Sequence, residues 1–234
     1  WFGTTNGLAR YDKNADDWRS FDVFSDLADD YVYDVEVDHQ SVWVATAGGL
    51  TQIKKASLLA DSLDVTQIMP GDLRRVAVLD VELMENLVWM GTEDGVYVYD
   101  MIKREGGYHD ESGGPMNEVV YSVSRFKNEL WFALESGVEV FDIDKKVWFG
   151  PPRRRFYTGE TVLTIKAGID VVWAGTDSGV LKFDREREIW IHYTREDGLM
   201  SDVINAIVLD GDYVWFGTPR GLTRFYWNAP YRID

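Results

Sequence analysis

Apolar and polar residues alternate along this chain in short runs with a period of two, and Gly, Asn or Asp interrupts them at close intervals, a pattern that predicts strands and hairpins. In the last stretch it predicts a first strand over 203–209, a second over 213–218, a third over 221–225 and a short fourth at 231–233, after the break Asn228-Ala229-Pro230. The set recurs upstream. First strands are expected at 32–37, 77–83, 119–125 and 162–167, and fourth strands near Trp18, Val65, Gly107, Val147 and Trp190. Third strands close on an aromatic followed by Asp: Tyr11-Asp12, Tyr99-Asp100, Phe141-Asp142 and Phe183-Asp184.

The recurrence has a fixed period. The second strand carries a Trp at positions 1, 43, 89, 131, 173 and 215, spaced by 42, 46, 42, 42 and 42 residues. Two residues on stands a Gly or Ala (Gly3, Ala45, Gly91, Ala133, Gly175, Gly217), as expected where a neighbouring layer presses on the backbone. Six residues on stands a Gly (Gly7, Gly49, Gly95, Gly137, Gly179, Gly221), as expected for a hairpin turn that needs positive φ. Four short strands per period predict an all-β fold, a β-propeller of six four-stranded blades. The whole chain, 1–234, reads as one propeller domain, and its first blade lacks a first strand because the sequence opens on the second. Opening on Trp1 in mid-repeat suggests a processed protein or an excised piece of a longer one.

Three segments depart from the repeat. The stretch 54–63 has apolar spacing for a helical turn or two, Gly106-Gly107 and Gly113-Gly114-Pro115 frame a connection, and Pro151-Pro152-Arg153-Arg154-Arg155 is a basic patch. Elsewhere acid dominates, with 40 Asp and Glu against 24 Lys and Arg and a net charge of −16. Such a surface repels phosphate backbones and anionic lipid, so no nucleic-acid partner is expected. No apolar run approaches the roughly 20 residues of a membrane span, no direct membrane insertion is expected, and no signal peptide is visible. Cysteine is absent, which removes disulfides and thiolate chemistry.

The units Trp-Phe-Gly-Thr-x-x-Gly-Leu-x-Arg-Tyr/Phe at 1–11 and 215–225, with Thr194-Arg195-Glu196-Asp197-Gly198-Leu199-Met200-Ser201-Asp202-Val203-Ile204-Asn205-Ala206-Ile207, resemble the two-component-regulator propeller repeat. The resemblance covers nearly the whole chain. Ala45 and Ala133 in place of Gly, Leu134 in place of Thr, and an irregular third repeat depart from it. It implies a periplasmic or extracellular module of a bacterial sensor or a cell-surface assembly.

Candidate chemistry is sparse. The six repeat Trp are assigned to packing between blades, since a ring at the same place in every blade is what repeated packing requires. His39, His109 and His192 occupy unrelated repeat positions, and no catalytic, metal-ligand or phosphate-loop motif is present. No enzymatic activity, cofactor or metal is expected. The variable pair before each repeat Gly should project from a turn on the ligand-bearing face, which gives Glu93, Asp94, Glu135, Asp177 and Arg220 as rim candidates. Tyr33, Tyr121 and Asn205 are candidates at the channel mouth, and Asp34, Glu36, Asp80 and Glu82 should face water inside it. The reading is a non-enzymatic module that binds an unidentified small ligand, a glycan or a partner protein. Alternatives are a structural docking subunit and a carbohydrate-binding or carbohydrate-active propeller.

Overall fold

A computed structural model describes residues 1–58, 62–70, 76–109, 114–115, 117–149 and 160–228. The chain is all-β and takes the six-bladed β-propeller fold that the repeat predicts. Blade one holds β1 (Phe2–Thr4), β2 (Gly7–Asp12) and β3 (Asp17–Phe21). Blade two holds β4 (Val32–Val37), β5 (Ser41–Thr46), β6 (Gly49–Lys54) and β7 (Val65–Ile68), and blade three β8 (Val78–Met84), β9 (Leu87–Thr92), β10 (Gly95–Asp100) and β11 (Glu105–Tyr108). Blade four holds β12 (Val120–Phe126), β13 (Glu129–Leu134), β14 (Gly137–Asp142) and β15 (Val147–Phe149), and blade five β16 (Val162–Ala167), β17 (Val171–Thr176), β18 (Val180–Asp184) and β19 (Ile189–Tyr193). Blade six holds β20 (Ala206–Asp210), β21 (Tyr213–Thr218) and β22 (Gly221–Tyr226).

Every sheet is an antiparallel meander in sequence order; blades one and six have three strands each among the described residues. Among the described residues blade one has no strand before β1, as expected, and the fourth strand expected at 231–233 lies outside the described residues. The chain divides into two compact units, one running through blade three and one from blade four onward. In the first, Leu8 and Phe21 pack with Val42 and Val44, and Trp43 and Leu50 with Val78 and Met90. In the second, Trp131 and Val138 pack with Ala174 and Phe183, and Trp173 and Val180 with Ile207 and Phe216. Of the six repeat Trp assigned to packing, the rings of Trp43, Trp89, Trp131 and Trp173 are buried, while Trp1 and Trp215 are only half-buried.

The small residue two places after the Trp has the predicted reason. A Cβ on Gly175 would lie 2.6 Å from Ile204 Cγ2, just before β20, and one on Gly3 2.7 Å from Val32 Cγ1 in β4, so the next blade seats directly on this backbone. All six repeat glycines have positive φ, between 102° and 139°. The Thr three places after the Trp closes the same turn. Thr92 Oγ1 donates to the Gly95 carbonyl at 2.7 Å and accepts from the Asp94 N–H at 3.1 Å, and Thr4, Thr46, Thr176 and Thr218 repeat the donation at 2.7–3.0 Å.

Other expectations are met in part. The last first strand begins at Ala206 rather than Val203. Of the helical stretch expected over 54–63, a 3₁₀ turn forms at Lys55–Ser57, and 59–61 lie outside the described residues. Gly106 and Gly107 sit within β11 instead of framing a connection. Gly113 and the basic patch 151–155 lie outside the described residues. No helix among the described residues is long and apolar enough to cross a membrane.

Candidate functional site

The upper end of a blade is defined here by the turn between its second and third strands. The first strand starts at the same end, and there its ladder is irregular. Pairing runs from Val32↔Thr46 to Asp34↔Ala45, from Val78↔Thr92 to Asp80↔Gly91, from Val120↔Leu134 to Ser122↔Ala133 and from Val162↔Thr176 to Thr164↔Gly175. One residue is therefore extra in each first strand: Tyr33, Leu79, Tyr121 and Leu163. A bulge bends its strand and re-aims the side chain it carries. Its physical cause is visible in burial, because Val32 and Val35, Val78 and Val81, Val120 and Val123, and Val162 and Ile165 all turn toward the core although each pair is three residues apart.

In the first unit the bulge brings Tyr33 under the influence of Glu93. Tyr33 is 45% exposed and packs at 4.8 Å, ring to ring, on Tyr31. Burial, then Tyr31 and the carboxylates of Glu93 and Asp29, raise the Tyr33 phenol above its ordinary value of 10.0. Glu93 is exposed, and its Oε1 accepts weakly from the Ala77 N–H at 3.4 Å. Asp94 is more enclosed, and its carbonyl accepts from the Asn117 N–H at 3.0 Å.

The second unit repeats the pairing within one blade. Partial burial, then the charge of Glu135, raises the Tyr121 phenol, and Glu135 itself is exposed at the tip of its turn. Asp177 accepts from Ser178 Oγ at 3.0 Å and borders a cleft of about 800 Å³ with Thr194, Arg195, Glu196 and Asp202. The cleft wall is a 3₁₀ turn at Arg195–Asp197, held by a capping box between Thr194 and Asp197 and by Asp202 Oδ1, which accepts from the Arg195 N–H at 2.8 Å. Arg220 is exposed at the last turn. Asn205 occupies the position equivalent to Tyr33 and Tyr121; it precedes β20, its side chain is exposed, and its N–H donates to the Gly217 carbonyl at 2.8 Å. Thus Tyr33 is within the electrostatic reach of Glu93 and Tyr121 of Glu135, and Asp177 borders its own cleft.

Other acids serve the scaffold. Asp34 Oδ2 accepts from the Val81 N–H at 3.2 Å and so joins the first strands of blades two and three, a contact its expected place in water did not foresee. Ser124 does the same in the second unit, accepting from the Ala167 N–H at 3.1 Å. Asp12, Asp100, Asp142 and Asp184 each accept from two backbone N–H groups in the turn that follows. At the lower end of blades two and three lies a second cleft, about 600 Å³, lined among others by Asp38, Gln52, Lys54, Glu85, Tyr99 and Arg104. Sequence reasoning missed it because its walls come from strand ends and turns far apart in the repeat. Asp38 is held there as a carboxylate: burial raises its pKa, but donation from Trp43 Nε1 at 2.9 Å and from the Gln40 and Ser41 N–H groups outweighs this and lowers it. Among the described residues no group of three or more His, Cys, Asp or Glu is placed to hold a metal ion.

No protein-family model matches the chain, and no curated protein does. Solved structures are similar in fold. The extracellular domain of one hybrid two-component system of B. thetaiotaomicron superposes with a TM-score of 0.73 at 15% identity, over 94% of this chain and 30% of its own. That of another gives 0.67 at 17% identity, over 83% of this chain and 26% of its own. The WD40 repeats of RRP9 give 0.64 at 13% identity, over 85% and 61%. The chain thus spans about a third or less of the two bacterial domains, and at these identities the likeness is one of fold.

Proposed function

We propose that the chain is a non-enzymatic binding module of an extracellular or periplasmic sensor or surface assembly, and that it recognises its ligand at the upper ends of its blades. The observation that carries this reading is the tyrosine presented at the bulge of blades two and four, Tyr33 and Tyr121, each within the electrostatic reach of a turn-borne glutamate, Glu93 and Glu135. Neither pair is required by the repeat: blade five carries Leu163 at the bulge and Asp177 at the turn. An aromatic face next to a carboxylate suits an amine or other cationic group, through ring quadrupole and ion pairing together. Likeness to the extracellular domains of two hybrid two-component systems supports the sensor context.

The test is the triple variant E93K/E135K/D177K, assayed by calorimetry against a panel of amines and glycans. The expected result is an unchanged melting temperature with amine binding lost. Retained amine binding, or binding of neutral glycans alone, would overturn the cationic reading.

A further inference from the structure

The hairpin between the first and second strands of blade five repeats that of blade two bond for bond. In blade two the Asp38 N–H donates to the Ser41 carbonyl at 3.1 Å, the Lys55 N–H to the Gln40 carbonyl at 2.8 Å, and Lys55 Nζ to the Asp38 carbonyl. In blade five the Gly168 N–H donates to the Val171 carbonyl at 2.8 Å, the Arg185 N–H to the Asp170 carbonyl at 3.0 Å, and Arg185 Nε to the Gly168 carbonyl at 3.1 Å. One group differs. Gly168 stands five residues before the repeat Trp, where blade two has Asp38.

The difference reaches the tryptophan. In blades two, four and six the repeat Trp donates Nε1 to a carboxylate, that of Asp38 at 2.9 Å, Glu129 at 2.9 Å and Asp210 at 3.1 Å. Trp173 is fully buried, and its Nε1 has no hydrogen-bond partner among the described residues. The same holds for the buried Nη2 of Arg185, the residue whose Nε binds Gly168. Unpaired buried donors are costly, so two of them around one hairpin call for an acceptor. Beside them opens a cleft of about 540 Å³, lined among others by Ile169, Asp170, Lys182, Arg185, Arg187 and Trp227. It is the counterpart of the lower cleft of blade two, because Ile169, Asp170 and Lys182 stand where His39, Gln40 and Gln52 stand, and Asp38 lines that cleft.

We propose that the blade-five cleft binds a small organic acid with an apolar tail, its carboxylate taking the place that the Asp38 side chain takes in blade two and accepting from Trp173 Nε1. The N–H groups of Asp170 and Val171 occupy the positions of those of Gln40 and Ser41, which hold the Asp38 carboxylate at 2.6 and 2.7 Å. Arg185 Nη2 and the buried Lys182, whose Nζ lies 6.0 Å from the centre of the Trp173 ring, add charged donors. The group nearest the position is Leu209 Cδ1, 3.3 Å from where a Gly168 Cβ would lie, on a side chain that is 38% exposed and can turn aside. The tail lies along Ile169 and Trp227. Asp184 is engaged by the Glu186 and Arg187 N–H groups, but Asp170 and Glu186 are exposed and oppose a second negative charge, so a monocarboxylate is favoured over a dicarboxylate.

Titration of the nitrogen-labelled chain with phenylacetate, followed at the indole N–H signals of a proton–nitrogen correlation spectrum, tests this. The Trp173 signal is assigned by its loss in Trp173→Phe. It should move downfield with phenylacetate, and the affinity should exceed that for phenylacetamide by about tenfold, the gain of a charged acceptor over a neutral one. Gly168→Asp supplies the carboxylate from the chain itself, so its Trp173 signal should lie downfield without ligand and phenylacetate binding should be lost, whereas Gly168→Ala should keep it. The parent titration decides even where Gly168→Asp does not fold. A Trp173 signal that phenylacetate never moves, or equal affinity for acid and amide, overturns the proposal and leaves the indole to an ordered water. Undiminished binding in a folded Gly168→Asp protein overturns it as well.

Discussion

Truncating Trp131 to Ala measures how far the periodic tryptophans are scaffold. The ring is 2% exposed. It contacts Phe183 at a centroid distance of 5.9 Å and lies under the Arg185 guanidinium at 5.2 Å, while its Nε1 donates to Glu129 Oε2 at 2.9 Å. The same oxygen accepts from Arg185 Nη1 at 2.7 Å, so one ring anchors both an apolar contact and an ion pair. Loss of the transfer term and the cavity left behind cost about 3–5 kcal/mol for a buried Trp. Against a total stability of about 5–15 kcal/mol, that is a large share. At about 2–4 °C per kcal/mol for a chain of this size, the melting temperature should fall by roughly 6–20 °C. Urea unfolding followed by tryptophan fluorescence and circular dichroism gives the loss from the midpoint and slope. Trp131→Phe, which keeps much of the apolar area but not the indole N–H, should recover part of it. A Trp131→Ala protein that unfolds within about 1 kcal/mol of the parent would refute the packing assignment.

Three further outcomes follow from the same contacts. Gly175→Val should destabilise by about 1–3 kcal/mol through overpacking against Ile204 and Thr164, whereas Ala45→Gly should move the melting temperature far less; equal effects would mean that blade spacing does not depend on this residue. Thr92→Val removes a bond to the Gly95 carbonyl and leaves the Asp94 N–H without its acceptor, at a cost of about 1–3 kcal/mol in chemical denaturation. Donation from Lys145 and the turn N–H groups lowers the pKa of Asp142 below its ordinary 3.8; the stability this adds is present above that value and lost as the pH falls through the lower folded value, so Asp142→Asn should flatten the acid limb of a stability–pH curve.

Much of the fold could be read from the chain because each repeat restates the same physical demands. A positive-φ Gly in all six repeats, a Gly or Ala under the next blade and a buried Trp in four of them each have one local cause, and repetition separates cause from chance. The upper-end irregularity was also written in the sequence, though not in period two: inward residues three apart, as in Val120 and Val123, signal the extra residue that an alternating pattern hides. Tyr33 and Tyr121 were therefore recognised as candidates without their means of presentation. Asp34 shows the opposite limit. Its acceptor role toward the Val81 N–H depends on where blade three falls, a tertiary fact that no local pattern carries.

The division of labour among carboxylates bears directly on how the rim can be tested. Asp12, Asp142 and Asp184 recur because the turn after the third strand leaves N–H groups that a short acid side chain satisfies. Replacing them by Lys removes the acceptors and places a cation among donors, so any loss of binding in such variants would reflect the turn rather than a recognition surface. Glu93, Glu135 and Asp177 stand in turns whose backbone is closed by Gly, with Thr92 and Thr176 completing it for Glu93 and Asp177. Leu134 stands where that Thr would precede Glu135; it is fully buried and pairs with Gly137, so that turn forms without the hydroxyl. In all three turns the rim side chain is relieved of holding the hairpin. Charge reversal at the rim accordingly separates recognition from stability, and reversal at the periodic acids does not.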